Sequence, residues 1–134
     1  MRILIADDHD VVRKGICAIL ASCKDLEVCG EAADGCEAVD KARKLQPDAV
    51  ILDISMPRLD GFAAAREIKK ILPEVPIVFL SMHDGPSVIE QAKSAGGQAY
   101  VKKMQAGSDL LKALDAVLQQ KTFFPSEPAQ RASR

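Results

Sequence analysis

The sequence predicts an α/β domain in which a single doubly wound, five-stranded parallel sheet carries helices on both faces. Five short apolar runs alternate along the chain with five segments whose apolar residues recur at helical spacing. This alternation is typical of βαβ units, which place parallel strands side by side and cover them with crossover helices. Most of the runs are continuously apolar, as strands buried on both faces are. The length of 134 residues is that of one domain.

The first half of the chain contains two predicted strand–helix units. Residues 3–6 form the first apolar run, and the helix that follows has an apolar stripe at Val12, Ile16, Ile19, Leu20 and Cys23. Residues 26–32 alternate apolar and polar side chains more than the other runs do, so we predict this strand at a sheet edge. Asp34 and Glu37 have the spacing of a capping box. The helix that they begin has apolar residues at Ala38, Val39, Ala42 and Leu45.

The second half contains three more predicted strands and helices. Apolar runs lie at residues 49–52, 77–80 and 99–101. Proline and glycine in residues 56–61 predict a loop after the first of these runs. The three later helices have apolar stripes over residues 62–72, 88–95 and 110–118. The pattern stops near residue 121, and residues 121–134 are predicted to be a linker.

Residues that can perform chemistry follow four of the apolar runs. Asp7 and Asp8 follow the first run, Asp53 the third, Ser81 the fourth, and two lysines the fifth. The flavodoxin-like strand order 2-1-3-4-5 suits the pattern and places the first and third strands side by side. Ligands of such sheets bind outside the carboxyl ends of the strands. We therefore expect these side chains to converge at one rim of the sheet.

The three aspartates indicate a divalent cation site. Mg²⁺ is bound by oxygen ligands, commonly one or two carboxylates together with water and phosphate. We expect Asp8 and Asp53 to be direct ligands and Asp7 to act through water, because a cation relieves the repulsion between clustered carboxylates. The alternative for Asp7 and Asp8 is that the pair caps the first helix.

Asp53 ends the central strand and can act as a nucleophile that takes a phosphoryl group as an aspartyl phosphate. Such a transfer depends on positioning and charge stabilisation, which Mg²⁺ and a lysine can supply from opposite sides. Ser81 can donate a hydrogen bond to a phosphoryl oxygen, although serine at a strand end is also a common turn former.

Two lysines, Lys102 and Lys103, compete for the place beside the phosphoryl group. Side chains alternate along a strand, so Lys102 shares a face with Tyr100 and Lys103 points the other way. A tyrosine near the end of an edge strand usually keeps its hydroxyl in water. We therefore predict that Lys102 is a solvated surface charge and that Lys103 is turned to the pocket.

Composition argues against several other classes of function. The net charge of −1 gives no reason to expect nucleic-acid binding by this segment. Four cysteines without a C-x-x-C spacing are interpreted as reduced core residues of a cytosolic protein rather than a metal or redox site.

No signal peptide or apolar stretch of membrane-spanning length is visible, so a cytoplasmic protein without membrane partners is expected. His9 and His83 are not predicted to bind metal. Ser81, His83 and Asp84 are not predicted to form a hydrolytic triad, because they lie too close together in the sequence and no oxyanion-hole motif is present.

Several motifs together resemble the receiver domain of bacterial two-component response regulators over about residues 1–120. The residues that carry the resemblance are Asp7-Asp8, Asp53, Met56-Pro57, Asp60-Gly61, Ser81, Tyr100 and Lys103. The interval from Ser81 to Lys103 also matches that family's spacing. This match independently favours Lys103 over Lys102 as the pocket lysine.

The resemblance implies a role for each of these residues. Asp53 would receive its phosphoryl group from a sensor histidine kinase in a Mg²⁺-dependent reaction, and Lys103 would bind the phosphate. Ser81 and Tyr100 would be the switch pair: Ser81 moves toward the phosphate, and Tyr100 turns inward. This would change the face formed by the fourth helix, the last strand and the fifth helix. The implied metal ligands are Asp7, Asp8, Asp53 and the backbone carbonyl of Ser55.

Finer features resemble the NarL/FixJ subfamily, whose members usually carry a LuxR-type helix-turn-helix domain after the linker. These features are Ala6-Asp7-Asp8-His9, Arg13 with Gly15, Leu80-Ser81-Met82-His83-Asp84, residues 109–114, and Phe124-Pro125-Ser126-Glu127. The resemblance implies a transcription factor that binds DNA only through an output domain absent from this chain, with a possible homodimer. Met104 departs from the family pattern, because many receivers have a proline after the lysine.

Two other functions fit part of the sequence. A pseudo-receiver would use the same fold as a protein-interaction module without phosphotransfer, and it would have no physical need for the complete polar set. A phosphatase with an aspartyl nucleophile would normally have a second aspartate where this sequence has Ser55, and no P-loop is present. We therefore predict a phosphoacceptor switch rather than an enzyme, with only self-catalysed phosphorylation and dephosphorylation. Ser55 and His83 are expected to tune the lifetime of the aspartyl phosphate by controlling the access of water.

Overall fold

A computed structural model describes residues 1–82 and 85–125 of the chain. The strands are β1 (Arg2–Ala6), β2 (Glu27–Ala32), β3 (Ala49–Asp53), β4 (Ile77–Ser81) and β5 (Ala99–Lys102). The helices are α1 (Asp10–Ala21), α2 (Gly35–Leu45), α3 (Gly61–Ile71), α4 (Pro86–Ser94) and α5 (Ala106–Leu118). A short 3₁₀ helix over Lys103–Gln105 joins β5 to α5.

The strands form one parallel sheet in the order β2-β1-β3-β4-β5. This confirms the predicted five-stranded, flavodoxin-like arrangement. It also confirms that the strand with the most alternating sequence, β2, lies at an edge. The register aligns the strand ends, because Asp53 pairs with Leu80 and Ser81 pairs with Lys102. The residues that follow β1, β3 and β4 are therefore carried to the same rim.

Two apolar layers hold the helices to the sheet. Helices α2, α3 and α4 pack on one face, where small residues such as Ala38 and Ala64 let them approach the strands closely. Helices α1 and α5 pack on the other face through larger side chains such as Leu20 and Leu110. Strands β3 and β4 are buried over their whole length, which is why their sequences are continuously apolar.

Helices α2 and α3 each begin at an aspartate that caps them, and the sequence predicted the first of the two caps. The Asp34 carboxylate accepts a hydrogen bond from the Glu37 amide at 2.8 Å, and Glu37 reaches back to accept from the Ala33 amide at 2.7 Å. The predicted capping box is therefore present, with its return bond one residue earlier than usual. Asp60 caps α3 by accepting a hydrogen bond from the Ala63 amide at 2.8 Å.

The first residues of the predicted linker contact the sheet. After α5 the chain reverses, and Phe123 forms a parallel bridge with Ala99 at the outer edge of β5. Residues 121–125 therefore lie against the domain. Residues 126–134, the remainder of the predicted linker, are outside the described residues, as are the Ser126 and Glu127 of the subfamily resemblance.

All four cysteines are free thiols, and the interpretation of them as core residues holds only in part. Cys17, Cys23 and Cys29 are half-buried, and Cys36 is exposed on α2. Cys17 and Cys29 pack against the two apolar layers, whereas Cys36 lies outside them.

None of the helices in residues 1–82 and 85–125 combines the length and apolar composition that crossing a bilayer requires.

Candidate functional site

The carboxyl-end rim of the sheet brings two aspartates from adjacent strands onto one lysine. The Lys103 ammonium lies 2.9 Å from Asp7 Oδ2 and 3.1 Å from Asp53 Oδ2. Asp7 follows β1, Asp53 ends β3, and both carboxylates are almost completely buried. The lysine side chain is only 8% exposed. Because β1 and β3 are neighbours, the predicted convergence of these residues is observed.

Burial and mutual repulsion set the electrostatics of this cluster. Burial raises the pKa of Asp53, and the neighbouring Asp7 charge raises it further, whereas Lys103 and the Ser55 amide act in the opposite direction. The net pKa of Asp53 lies above its ordinary value of 3.8. Burial lowers the pKa of Lys103, but its contacts with the two carboxylates outweigh this effect and leave the pKa raised. The ammonium is therefore charged at neutral pH and holds both carboxylates at the rim.

The loop between β1 and α1 presents Asp8 and His9 beside this cluster. The Asp7 carboxylate accepts a hydrogen bond from the His9 amide at 2.8 Å. His9 Nδ1 lies 3.1 Å from Asp7 Oδ1 and 3.1 Å from Asp8 Oδ1. The N-cap of α1 is His9, without a side-chain hydrogen bond. The alternative in which the aspartates cap the first helix is therefore wrong, and their carboxylates are turned to the rim.

The loop after β3 holds Asp53 in place through backbone contacts. The Ser55 amide donates a hydrogen bond to Asp53 Oδ1 at 3.3 Å, and the Gly61 amide donates one to the Ile54 carbonyl at 2.8 Å. A Cβ at Gly61 would lie 2.3 Å from the Asp53 carbonyl oxygen. Only glycine fits at this position, which explains why the loop ends with Asp60-Gly61.

Ser81 and Tyr100 lie on the two strands beyond β3. Ser81 ends β4 and is 1% exposed, and Tyr100 lies within β5 and is 0% exposed. The tyrosine ring packs in the apolar layer under α2, α3 and α4. Ser81 therefore faces the rim from the strand next to Asp53, whereas Tyr100 is a core residue in this conformation.

The prediction of Lys103 as the pocket lysine agrees with its position beside Asp7 and Asp53. Two of the arguments that led to this prediction are wrong. Tyr100 is completely buried, so its position does not mark a solvated face. Lys103 also lies just beyond the end of β5, in the 3₁₀ helix, so the alternation of a strand does not orient it. Met104, which stands where many receivers have a proline, is 88% exposed, and the peptide bond between Lys103 and Met104 is trans.

Arg13 supports the acidic loop and was missed as a site residue. Its guanidinium donates a hydrogen bond to the Asp7 carbonyl at 2.6 Å and one to Glu31 Oε1 at 3.1 Å, and it also pairs with Asp10. These contacts join α1 and β2 to the end of β1. The available signal was an arginine four residues after His9, on the first turn of a helix that begins with the acidic loop.

The donor set at the rim fits a hard divalent cation. Asp7, Asp8, His9 and Asp53 each offer a ligand atom, and these atoms lie within 4.8 Å of one another. Three of the four donors are carboxylates, the ligand type that Mg²⁺ prefers. Carboxylates outnumber the Lys103 ammonium three to one. A cation placed among them would reduce an excess of negative charge.

His83 and Asp84 lie outside the described residues. The expectation that His83 and Ser55 regulate water access to the site therefore stays a prediction. Ser55 itself is exposed, two residues beyond Asp53.

The sequence matches the family model described as the response regulator receiver domain over residues 3–115. Response regulator protein VraR of Staphylococcus epidermidis is 35% identical over 127 residues, which cover 95% of this chain and 61% of that protein. VraR of Staphylococcus aureus is 34% identical with the same coverage. The chain thus spans 61% of the length of these curated relatives.

Solved structures agree with the sequence match. A LuxR-family two-component response regulator from Aurantimonas sp. SI85-9A1 has a TM-score of 0.90 and 31% identity, covering 98% of this chain and 94% of that one. The isolated REC domain of RcsB from Salmonella enterica serovar Typhimurium, in the presence of phosphomimetic BeF3-, has a TM-score of 0.85 and 32% identity, covering 94% of each chain. Sequence and fold therefore lead to one conclusion: the chain belongs to the receiver domain family of response regulators, with LuxR-type regulators among its relatives.

Proposed function

We propose that Asp53 is the residue that accepts a phosphoryl group in this receiver domain. The observation that supports it most directly is the position of the Lys103 ammonium, 2.9 Å from Asp7 and 3.1 Å from Asp53. An ammonium held there can neutralise a phosphoryl oxygen when Asp53 carries the group. The raised pKa of Asp53 reflects the same burial that excludes bulk water from its carboxylate.

The proposed transfer is a direct displacement at phosphorus. A carboxylate oxygen of Asp53 attacks the phosphorus atom, and a new O–P bond forms. The bond between phosphorus and the donor, a phosphohistidine nitrogen or an acetyl phosphate oxygen, breaks, and its electron pair leaves with the donor. Lys103 and the Ser81 hydroxyl then hold the phosphoryl oxygens by charge and by hydrogen bonding.

The residues proposed to hold Mg²⁺ are Asp8 and Asp53 directly, Asp7 through water, and the backbone carbonyl of Ser55. Bound by these residues, Mg²⁺ would supply positive charge that neutralises phosphoryl oxygens. Arg13 acts on this set as a positioning residue, because its hydrogen bond to the Asp7 carbonyl holds the acidic loop at the rim.

Phosphorylation is proposed to change the conformation through Ser81 and Tyr100. Ser81 lies on the strand next to Asp53 and can move toward added phosphoryl oxygens. Tyr100 is already buried in the described conformation. The predicted inward turn therefore has to start from another conformation, in which the ring is outside. We propose that phosphorylation shifts the population toward the inward state described here.

The wider role proposed is that of a cytoplasmic transcription regulator in a two-component pathway. Its partners would be a sensor histidine kinase, a second copy of the chain in a homodimer, and a LuxR-type DNA-binding output domain. This part rests on the relatives, of whose length the chain spans 61%. The domain would perform only its own phosphorylation and dephosphorylation, and residues 121–134 would lead to the output domain.

The test is the intact mass of the protein after incubation with Mg²⁺ and acetyl phosphate. We expect wild type to gain one phosphoryl group, Asp53→Asn to gain none, and Asp115→Asn, an exposed aspartate on α5, to behave as wild type. Omitting Mg²⁺ should suppress the gain. A folded wild-type protein that stays unmodified with both acetyl phosphate and a kinase donor would contradict the proposal and favour a pseudo-receiver.

A further inference from the structure

The chain turns back sharply after α5 and is directed along the sheet edge. Gln120 adopts a left-handed conformation with φ 64°. The Lys121 amide donates a hydrogen bond to the Ala116 carbonyl at 2.9 Å, and the Gln120 amide donates one to the Val117 carbonyl at 3.0 Å. This pair of bonds is a Schellman motif, which ends a helix and fixes the direction in which the chain leaves.

The next residues, 122–125, which we call the strap, are hydrogen-bonded to β5. The Phe123 amide donates to the Gln98 carbonyl at 3.0 Å, and the Phe123 carbonyl accepts from the Tyr100 amide at 2.9 Å. The strap therefore occupies backbone groups on the outer side of β5, which would otherwise be an open sheet edge. One of its two bonds is made by the proposed switch residue itself.

The two aromatic rings of the strap pack on opposite faces of the sheet. Phe123 packs on the layer beneath α1 and α5, and Phe124 packs on the layer that contains Tyr100 and α4. The Lys93 ammonium of α4 lies 5.0 Å from the centre of the Phe124 ring, within the range of a cation–π contact. The strap thus contacts α4, β5 and α5 together, on the face expected to change when the domain switches.

We propose that the strap is a coupling element whose docking on β5 and α4 is linked to the state of the phosphorylation site. The inference rests on the proposed function. In the described conformation Tyr100 is buried and its amide donates a hydrogen bond to the docked strap, so a change at Tyr100 acts directly on the strap. An outward Tyr100 would remove its ring from the apolar layer against which Phe124 packs, and the strap would lose part of its anchorage. Because coupling is reciprocal, strengthening the strap must also favour the phosphorylated state.

The first experiment measures docking alone, by amide hydrogen exchange of Tyr100 and Phe123 in the full chain. Phe124→Ala should raise the exchange rate of both amides by about tenfold or more, because the ring that anchors the strap is lost. Gln120→Gly should slow exchange, because glycine adopts the left-handed conformation without strain. The matched control is Leu72→Ala, which truncates a half-buried residue of the same apolar layer at the end of α3. Equal rates in wild type and Phe124→Ala would overturn the docking.

The second experiment measures coupling, by titrating each protein with beryllofluoride and Mg²⁺ as a phosphate mimic. Tyr100 is the only tyrosine and the chain has no tryptophan, so tyrosine emission reports the switch residue. We expect the apparent Kd of Phe124→Ala to rise about threefold or more, that of Gln120→Gly to fall, and that of Leu72→Ala to stay unchanged. Equal affinities in all four proteins would overturn the coupling and leave the proposed function standing. A wild-type protein that neither binds the mimic nor accepts a phosphoryl group would overturn both.

Discussion

Polar side chains at the two ends of the parallel sheet differ in what they contact. At the amino ends of the strands, polar side chains complete backbone hydrogen bonds. Asp48 accepts from the Arg2 amide at 2.7 Å, and Gln98 Oε1 accepts from the Ile77 amide at 2.8 Å. The Lys69 ammonium donates to the Val75 carbonyl at 2.5 Å. Each of these groups satisfies a backbone atom that a strand end would otherwise leave unpaired.

At the carboxyl ends, the Asp7 and Asp53 carboxylates also accept hydrogen bonds from backbone amides, but they bring like charges together in addition. Asp7 and Asp53 are buried side by side, and one ammonium serves both. The pKa of Asp53 is raised by burial and by Asp7, so its ionised form is disfavoured in the folded protein. The amino end thus contributes to stability, whereas the carboxyl end holds the charge that the proposed cation and phosphoryl sites require. Three substitutions test this difference, and a fourth, in the capping box of α2, has the smallest expected effect.

Lys103→Met should have the largest effect on stability. It removes the ammonium that both buried carboxylates share, and breaking a buried ion pair in this way typically costs about 3 kcal/mol or more. Urea unfolding at neutral pH measures the loss, and Mg²⁺ should restore part of it by replacing the missing positive charge. The control is Lys112→Met on the exposed side of α5. Unfolding curves of Lys103→Met that match wild type would contradict the assigned role of the lysine.

Gln98→Ala should lower stability by less. It leaves the Ile77 amide without its side-chain acceptor at the start of β4, a loss of about 1–2 kcal/mol for a half-buried donor. Gln98→Glu keeps an oxygen at the same position and should recover most of the loss. If both variants unfold at the same urea concentration as wild type, the amino end does not have the stabilising role assigned to it.

Asp53→Asn should raise stability, by about 1 kcal/mol at neutral pH, because it removes a buried charge that Asp7 repels. The pKa of Asp53 is raised in the folded state, so ionisation opposes folding. The advantage of Asp53→Asn should therefore be absent below the unfolded pKa, near 3.8, and grow as pH rises through the folded pKa. Thermal unfolding of both proteins across pH checks this. Mg²⁺ should stabilise wild type more than the variant, and the opposite order would argue against a cation site at this rim.

Glu37→Ala should have the smallest effect, about 0.5–1 kcal/mol, because it removes one bond of the capping box on a half-exposed surface. The hydrogen bond from the Ala33 amide lowers the pKa of Glu37. The contribution of the charged carboxylate is therefore present above the unfolded pKa near 4.5 and is lost as pH falls through the lower folded pKa. Glu37→Gln keeps an acceptor without this pH dependence and serves as the control. A stability difference between Glu37→Ala and wild type that does not change with pH would contradict the assigned cause.

Periodicity and strand ends could be read from the sequence because they are local properties. Continuous apolar runs identified β3 and β4, and alternation identified the edge strand β2. The first polar residue after a buried strand lies at its carboxyl end whatever the rest of the fold does. The convergence of Asp7 with Asp53 therefore needed only the strand order, and that order follows from short connections and right-handed crossovers.

What only the tertiary structure decided depends on residues far apart in the chain. Whether the Tyr100 ring is buried depends on the layer under α2, α3 and α4, so the expected wet hydroxyl was wrong. The support from Arg13 requires α1 to bring it back to the end of β1. The docking of Phe123 requires α5 to end where β5 exposes its edge. Sequence determines which groups a segment can offer, but a contact between distant segments depends on distances and burial that exist only once the whole domain has folded.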